Sequence, residues 1–151
     1  MRLTKQTNYA VRILMYCAAN ANNLSRIPDI AAAYGLSETF LFKILKPIAD
    51  NGFVQSVRGR NGGIRLARPA DEISLIDIVR VTEDNFNMAD CFDNSLTNCP
   101  LIDACALNSA WSEALSAFFN VLEKYTIDDL IKPSPNINML LGLDTLNELR
   151  A

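Results

Sequence analysis

From Thr7 to Ala19 apolar residues recur at three- and four-residue steps, so that Ala10, Ile13, Leu14, Cys17 and Ala18 share one face, as a helix with one buried side requires. After the polar break Asn20 to Asn23, Ile27 to Tyr34 reads as a short helix, with Pro28 in its first turn and Gly35 placed to end it. Ser37 can then cap a third helix that runs to about Asp50 and turns Phe40, Leu41, Ile44, Leu45 and Ile48 inward. Pro47 predicts a kink late in that helix. Beyond Gly52, two short apolar runs, Phe53 to Val57 and Ile64 to Ala67, flank the glycine-rich stretch Arg58-Gly59-Arg60-Asn61-Gly62-Gly63 and predict a β-hairpin.

A short helix, a glycine turn, a capped longer helix and a hairpin make a winged helix-turn-helix, whose second member lies in the major groove of DNA and whose hairpin is the wing. The outward positions of the third helix are predicted to be Glu38, Thr39, Phe42, Lys43 and Lys46. Ser37, Thr39 and Lys43 can bond base edges or phosphates. Phe42 suits either a thymine methyl group or the core, and its role stays open at this level. Lys43, Lys46, Arg58 and Arg60 carry charge useful on DNA, and Asn61 joins them at the wing tip.

Past Arg68-Pro69-Ala70-Asp71-Glu72, Ser74 can cap a helix to about Thr82. The stretch Glu83 to Asn98 is irregular and polar. Leu107 to Tyr125 reads as a long amphipathic helix with Trp111, Leu115, Phe118, Phe119 and Leu122 largely on one side, more aromatic surface than a small domain leaves in water. Its expected use is a dimer interface, which also suits a two-fold operator. After Pro133-Ser134-Pro135-Asn136 the chain either forms a last short helix or stays mobile. The expectation is a mainly α protein in three parts: a winged helix over 1–70, a sensor loop and dimerisation helix over 71–132, and a tail over 133–151.

Charge sharpens this division. Residues 1–70 carry a net charge of +7 and residues 71–151 carry −10. A basic compact segment suits a polyanion, because each phosphate it neutralises releases counterions. The sequence holds no histidine, which excludes Ser-His-Asp and Cys-His catalysis and every His-ligated metal site. No apolar run is long enough to span a membrane and the first residues do not resemble a signal peptide, so a soluble, cytoplasmic protein is expected, a regulator and not an enzyme.

Three of the four cysteines, Cys91, Cys99 and Cys105, fall in the irregular stretch at C-x7-C-x5-C spacing. Without an export signal disulfides are disfavoured, and the cluster of thiols points to a soft metal or to redox chemistry. Zinc sites usually carry four ligands and paired C-x2-C knuckles, which are absent; iron-sulfur clusters favour thiolates and tolerate other ligands. A fourth ligand would be a carboxylate, an amide, Cys17, a group from a second subunit or an exogenous molecule. Cys99-Pro100 reads as a helix start, whose N–H groups would favour an anionic cluster.

The opening Met1-Arg2-Leu3-Thr4-Lys5-Gln6-Thr7-Asn8-Tyr9-Ala10-Val11-Arg12, the wing Val57-Arg58-Gly59-Arg60-Asn61-Gly62-Gly63, and three spaced cysteines before a long helix together resemble the IscR, NsrR and RirA family of iron-sulfur transcription regulators. The resemblance covers about residues 1 to 132. It implies a dimeric winged-helix repressor that binds palindromic promoter DNA and holds a [4Fe-4S] cluster on Cys91, Cys99 and Cys105, with [2Fe-2S] on partial loss. The C-x7-C spacing and the absence of histidine are most similar to the family's rhizobial iron-regulator branch, which implies repression of iron-uptake genes. A nitric oxide or redox sensor of the same family is the alternative. Relatives that use a histidine shortly after the last cysteine differ from this chain, which has Ala106-Leu107-Asn108 there. The similar nitric oxide sensors place an aspartate ligand where this chain has Asn8, which makes Asn8 a candidate fourth ligand, although a neutral amide binds iron less well than a carboxylate.

Overall fold

Helix α1 (Lys5–Ala19) is the element on which the others pack; it touches the third, fourth and sixth helices and the second strand. The structure, a computed structural model, describes residues 2–89, 92, 99–100 and 105–149, with the side chain of residue 147 left aside. The α1 face predicted from periodicity is buried: Ala10, Ile13 and Leu14 have no exposed surface and Cys17 has 2%. The helix begins two residues before the predicted start, because Lys5 and Gln6 are exposed and add nothing to the apolar rhythm.

Helix α2 (Ile27–Tyr34) carries Pro28 in its first turn and ends at Gly35, whose φ of 62° is the left-handed conformation that glycine adopts without strain. Helix α3 (Glu38–Asp50) follows at once and buries Leu41, Ile44 and Ile48. Ser37 stands at its N-cap, but the hydroxyl makes no capping bond, contrary to expectation; the Phe40 and Leu41 amides donate instead to the Ser37 carbonyl. Pro47 lies inside α3, which continues to Asp50. There the side-chain amide of Asn51 donates to the Pro47 carbonyl at 2.9 Å.

Strands β1 (Val54–Val57) and β2 (Gly63–Leu66) pair antiparallel, with Val54 opposite Leu66 and Val57 opposite Gly63. A third segment joins their edge. The Ser25 amide donates to the Ile64 carbonyl at 2.9 Å, and the Ile64 amide donates to the Ser25 carbonyl at 2.8 Å. The hairpin is thereby tied to the chain just before α2.

A 3₁₀ turn (Ala70–Glu72) leads to α4 (Leu75–Thr82), capped as predicted by Ser74, whose hydroxyl accepts from the Asp77 amide. The long helix α5 (Ala106–Glu123) follows the cysteine segment. At its end the chain turns back: the Leu75 amide donates to the Tyr125 carbonyl at 2.8 Å, and the Ile127 amide to the Ile73 carbonyl at 3.0 Å. Helix α6 (Ile127–Ile131), absent from the sequence reading, starts in a capping box between Thr126 and Asp129 and packs on α1. Because the Thr126 amide and hydroxyl donate to Asp129, its carboxyl is held below the ordinary range. The tail forms α7 (Ile137–Leu140) and α8 (Leu143–Glu148). Leu141 and Leu143 enter the same buried cluster as Ile13, Ile44, Ile73 and Ile127, so one core draws on residues from the basic half and from the acidic half.

Candidate nucleic-acid interface and sensor segment

All seven residues proposed for DNA contact, Ser37, Thr39, Lys43, Lys46, Arg58, Arg60 and Asn61, are exposed. Leu41, Ile44 and Ile48 anchor α3 to the core, which leaves Thr39, Phe42, Lys43 and Lys46 on its outer side. Lys46 pairs with Asp50 one turn on, a solvent-exposed ion pair of little energetic weight. Among the described residues no ion pair engages Lys43, Arg58 or Arg60. On β2, Arg65 donates through Nε and Nη2 to the Gln55 side chain directly opposite, at 3.1 and 3.0 Å, which holds both side chains on the wing's exposed face.

The wing depends on close backbone approach. A Cβ built at Gly62 would lie 2.3 Å from the Val57 carbonyl oxygen, and one at Gly63 would lie 2.6 Å from that of Ser25. Both obstacles are backbone. Gly63→Ala is therefore expected to push the hairpin off the Ser25 segment, cost about 1–3 kcal/mol, and weaken DNA binding together with thermal stability. A thermal melt beside a binding titration checks this; a variant as stable as the parent would show that the contact can relax.

Arg26, which the sequence reading passed over, stands at the N-cap of α2 and lines a cleft between α3 and the wing, together with Phe42 and Arg60. Its signal was present: a basic residue immediately before a helix whose proline marks the first turn.

The residues considered for the sensor that the structure describes lie near the starts of α1 and α5. α1 has no acidic residue in its first turn and no side-chain cap. Glu83, the residue after α4, supplies the missing anion: its carboxylate accepts from the Thr4 amide at 2.7 Å and the Thr4 hydroxyl at 3.0 Å. It also accepts from the Thr7 hydroxyl. The Thr7 and Thr82 hydroxyl oxygens lie 2.6 Å apart in the interior, and the Thr82 hydroxyl is also 2.8 Å from the Ile78 carbonyl, so the two protons are shared among Glu83, Ile78 and the hydroxyl pair. Glu83 is thus where the start of α1 is joined to the start of the cysteine segment. No sequence signal marks the pair, since it closes over 79 positions.

Asn8 is exposed on α1, in an open concavity of about 630 Å³ that also presents Arg2, Lys5 and Arg12. Arg12 lies over the rings of Tyr9 and Tyr34, 5.7 and 5.4 Å from their centroids. Burial pushes the Tyr34 hydroxyl up to about 12, so the ring stays neutral under the cation.

Of the predicted cluster ligands, Cys99 is exposed and Cys105 is half-buried, whereas Cys91 lies outside the described residues. Cys105 is the N-cap of α5; the Asn108 and Ser109 amides donate to its carbonyl while its thiol makes no cap bond. The first turn of α5 holds no acidic residue, so a thiolate and an anionic group meet a favourable helix dipole there. The helix start expected at Cys99-Pro100 would run into residues 101–104, which lie outside the described residues; the long helix expected from Leu107 begins at Ala106. Cys17, the cysteine outside that segment, is sealed in the core near Ser25, away from solvent, and burial pushes its thiol up to about 12. Among the described residues no set of three potential metal ligands comes together. The donor chemistry still fits an iron-sulfur group: soft thiols, one at a helix N-terminus, and no competing imidazole.

No residue of α5 is buried. Its apolar side chains fill one broad arc. The edge at Phe119 is covered, its ring meeting Phe86 edge-on at 4.9 Å, while Leu107 is 59%, Trp111 36% and Val121 51% exposed, as is Tyr125, just past the helix end, at 49%. Phe86 thus joins the irregular polar stretch after α4 to α5. No described helix is long and apolar enough to cross a membrane.

Comparison with known proteins fits these features. The Rrf2 family profile, which describes iron-dependent transcriptional regulators, matches residues 3–133. Protein aau3 of Rhizobium meliloti is 66% identical over 144 residues, covering 95% of this chain and 94% of that protein. The HTH-type transcriptional regulator NsrR of Bacillus subtilis is 40% identical over 144 residues, covering 95% and 99%. Among solved structures, IscR of T. potens superposes with a TM-score of 0.73 at 25% identity, over 91% of this chain and 90% of that one.

Proposed function

The chain belongs to the Rrf2 family of transcriptional regulators, and from that membership we propose that it is an iron-responsive repressor of iron-uptake genes whose hold on promoter DNA is set by an iron-sulfur cluster. The observation that carries this reading is the position of Cys105 at the N-cap of α5, the one long helix among the described residues with no buried residue. Cys91, Cys99 and Cys105 would hold a [4Fe-4S] cluster, or [2Fe-2S] after partial loss, with Asn8 of a second copy as candidate fourth ligand. When bound, the cluster supplies iron that is lost under scarcity, and so reports the metal's availability.

The residues around it do the rest. α5 meets its counterpart in a homodimer through Leu107, Trp111 and Val121, with Tyr125 just beyond its end. Drawing the three thiolates together fixes where α5 begins. Through Phe86 and Glu83 the same segment bears on α5 and on the first turn of α1. The spacing of the two winged helices then suits half-sites about one helical turn apart on a palindromic operator. On each half-site Thr39, Lys43 and Lys46 enter the major groove, Ser37 meets the adjoining backbone, and Arg58, Arg60 and Asn61 reach from the wing. Holo dimer binds and apo dimer releases.

Protein purified without oxygen is expected to carry roughly four iron and four sulfide per chain, and to lose DNA affinity on chelation at constant salt. Colourless protein, iron-free after reconstitution, that still binds DNA tightly would discard the sensor and keep the winged helix. The nitric oxide or redox alternative is told apart by dose, according to whether nitric oxide releases the DNA before chelation does.

A further inference from the structure

On an α3 anchored by Leu41, Ile44 and Ile48, the fold has no use for an aromatic ring on the outer side. Phe42 is there nonetheless, and is 54% exposed. Its helix neighbours at three- and four-residue steps are Glu38, Thr39, Leu45 and Lys46, so the ring stands among the polar side chains of the recognition helix while its inner edge adjoins Leu45. The cleft it borders, about 340 Å³, lies between α3 and the wing and is lined by Arg26, Phe42, Leu45, Val57, Arg60 and Ile64. Its apolar lining combined with two guanidinium groups suits a polyanion that also presents a small apolar group.

Duplex DNA presents one such group in its major groove, the 5-methyl of thymine. Cytosine offers an amino donor at the neighbouring edge, and a ring that cannot accept its hydrogen bond would leave that donor unpaired. We propose that Phe42 is a specificity-determining residue that reads the methyl group of one thymine in each half-site. The proposal rests on the DNA-binding reading above and deepens it by assigning a base to a side chain. A protein partner would also cover an exposed phenylalanine, but the adjacent Lys43, Arg26 and Arg60 favour a phosphate-bearing one.

The test uses the full-length protein in its DNA-binding form and duplexes selected from a randomised library. Each thymine of the selected duplex is replaced in turn by deoxyuridine, which removes only the methyl. Binding is measured for the parent and for Phe42→Ala, whose fold is checked by melting. One thymine per half-site should respond, with a loss of roughly three- to fivefold per methyl and about ten- to twenty-five-fold when both half-sites are changed. Phe42→Ala should bind thymine and deoxyuridine duplexes alike, and a repeated selection with it should lose the thymine at that position. The proposal is overturned if no thymine responds, if Phe42→Ala keeps the parent's response, or if Phe42→Ala weakens all duplexes equally. A selection that enriches no sequence with either protein fails the DNA-binding reading itself, and the assignment with it.

Discussion

Trp111→Glu combined with Val121→Glu should turn the protein into a folded monomer and lower its affinity for a two-half-site duplex by about 10²- to 10⁴-fold. Both side chains lie on the part of α5 that the body leaves open, 36% and 51% exposed, so neither supports the core. Their burial would come from a second copy, and two carboxylates facing their counterparts there would be desolvated without partners. The size of the loss follows from valence. A dimer's second half-site is bound at the effective concentration set by the first, and a monomer forfeits that gain without losing a single contact to its own half-site. Sedimentation and a titration against one-site and two-site duplexes check this. A variant that still sediments as a dimer, or that keeps its two-site affinity, would move the interface elsewhere.

The second large effect concerns the thiols, which should divide into two classes. Cys99→Ala, Cys105→Ala and Cys91→Ala should each yield protein without cluster iron, whose DNA affinity falls roughly 5- to 150-fold, the usual range for coupling between two sites. Cys17→Ala should keep both iron and DNA binding. The reason is burial: Cys17 is 2% exposed on the inward face of α1, closed off by core side chains, and the same burial pushes its thiol up to about 12. Asn8→Asp should slow decay of the cluster in air, since a carboxylate is the better iron ligand. Iron retained by Cys105→Ala, or lost from a well-folded Cys17→Ala, would contradict the assignment.

The winged helix was legible because its signals are local. Gly35 ends α2, Ser37 marks where α3 begins, and the glycines of the wing lie between two apolar runs, so a few adjacent residues suffice for each. The same locality explains the misses. Ser37 has the composition of a cap yet leaves its hydroxyl unused, because the backbone carbonyl serves the turn. α6 spans five residues, too few for a periodic pattern, and only Thr126 and Asp129 announce it. Leu141 and Leu143 look like any apolar pair after a proline-rich break, and their burial depends on a core assembled from distant parts of the chain. For the sensor, spacing made Cys99 and Cys105 stand out, but nothing nearby in the chain revealed that Glu83 would close the first turn of α1. Phe42 was ambiguous in one dimension because a phenylalanine beside the inward Leu41 is compatible with either side of a helix. Its exposure settles that point.

The turn-back at Tyr125 and Ile127 has a mechanical consequence. Main-chain bonds to Leu75 and Ile73 pin one end of α5, while its opposite end begins at Cys105. Eighteen residues at about 1.5 Å each make an arm of roughly 27 Å. A tilt of about 10° at the pinned end carries the free end through about 5 Å, close to the rise of one helical turn. Cys105 therefore sits where a fulcrum gives its longest throw, and a modest force applied there works with the greatest leverage on everything the arm supports.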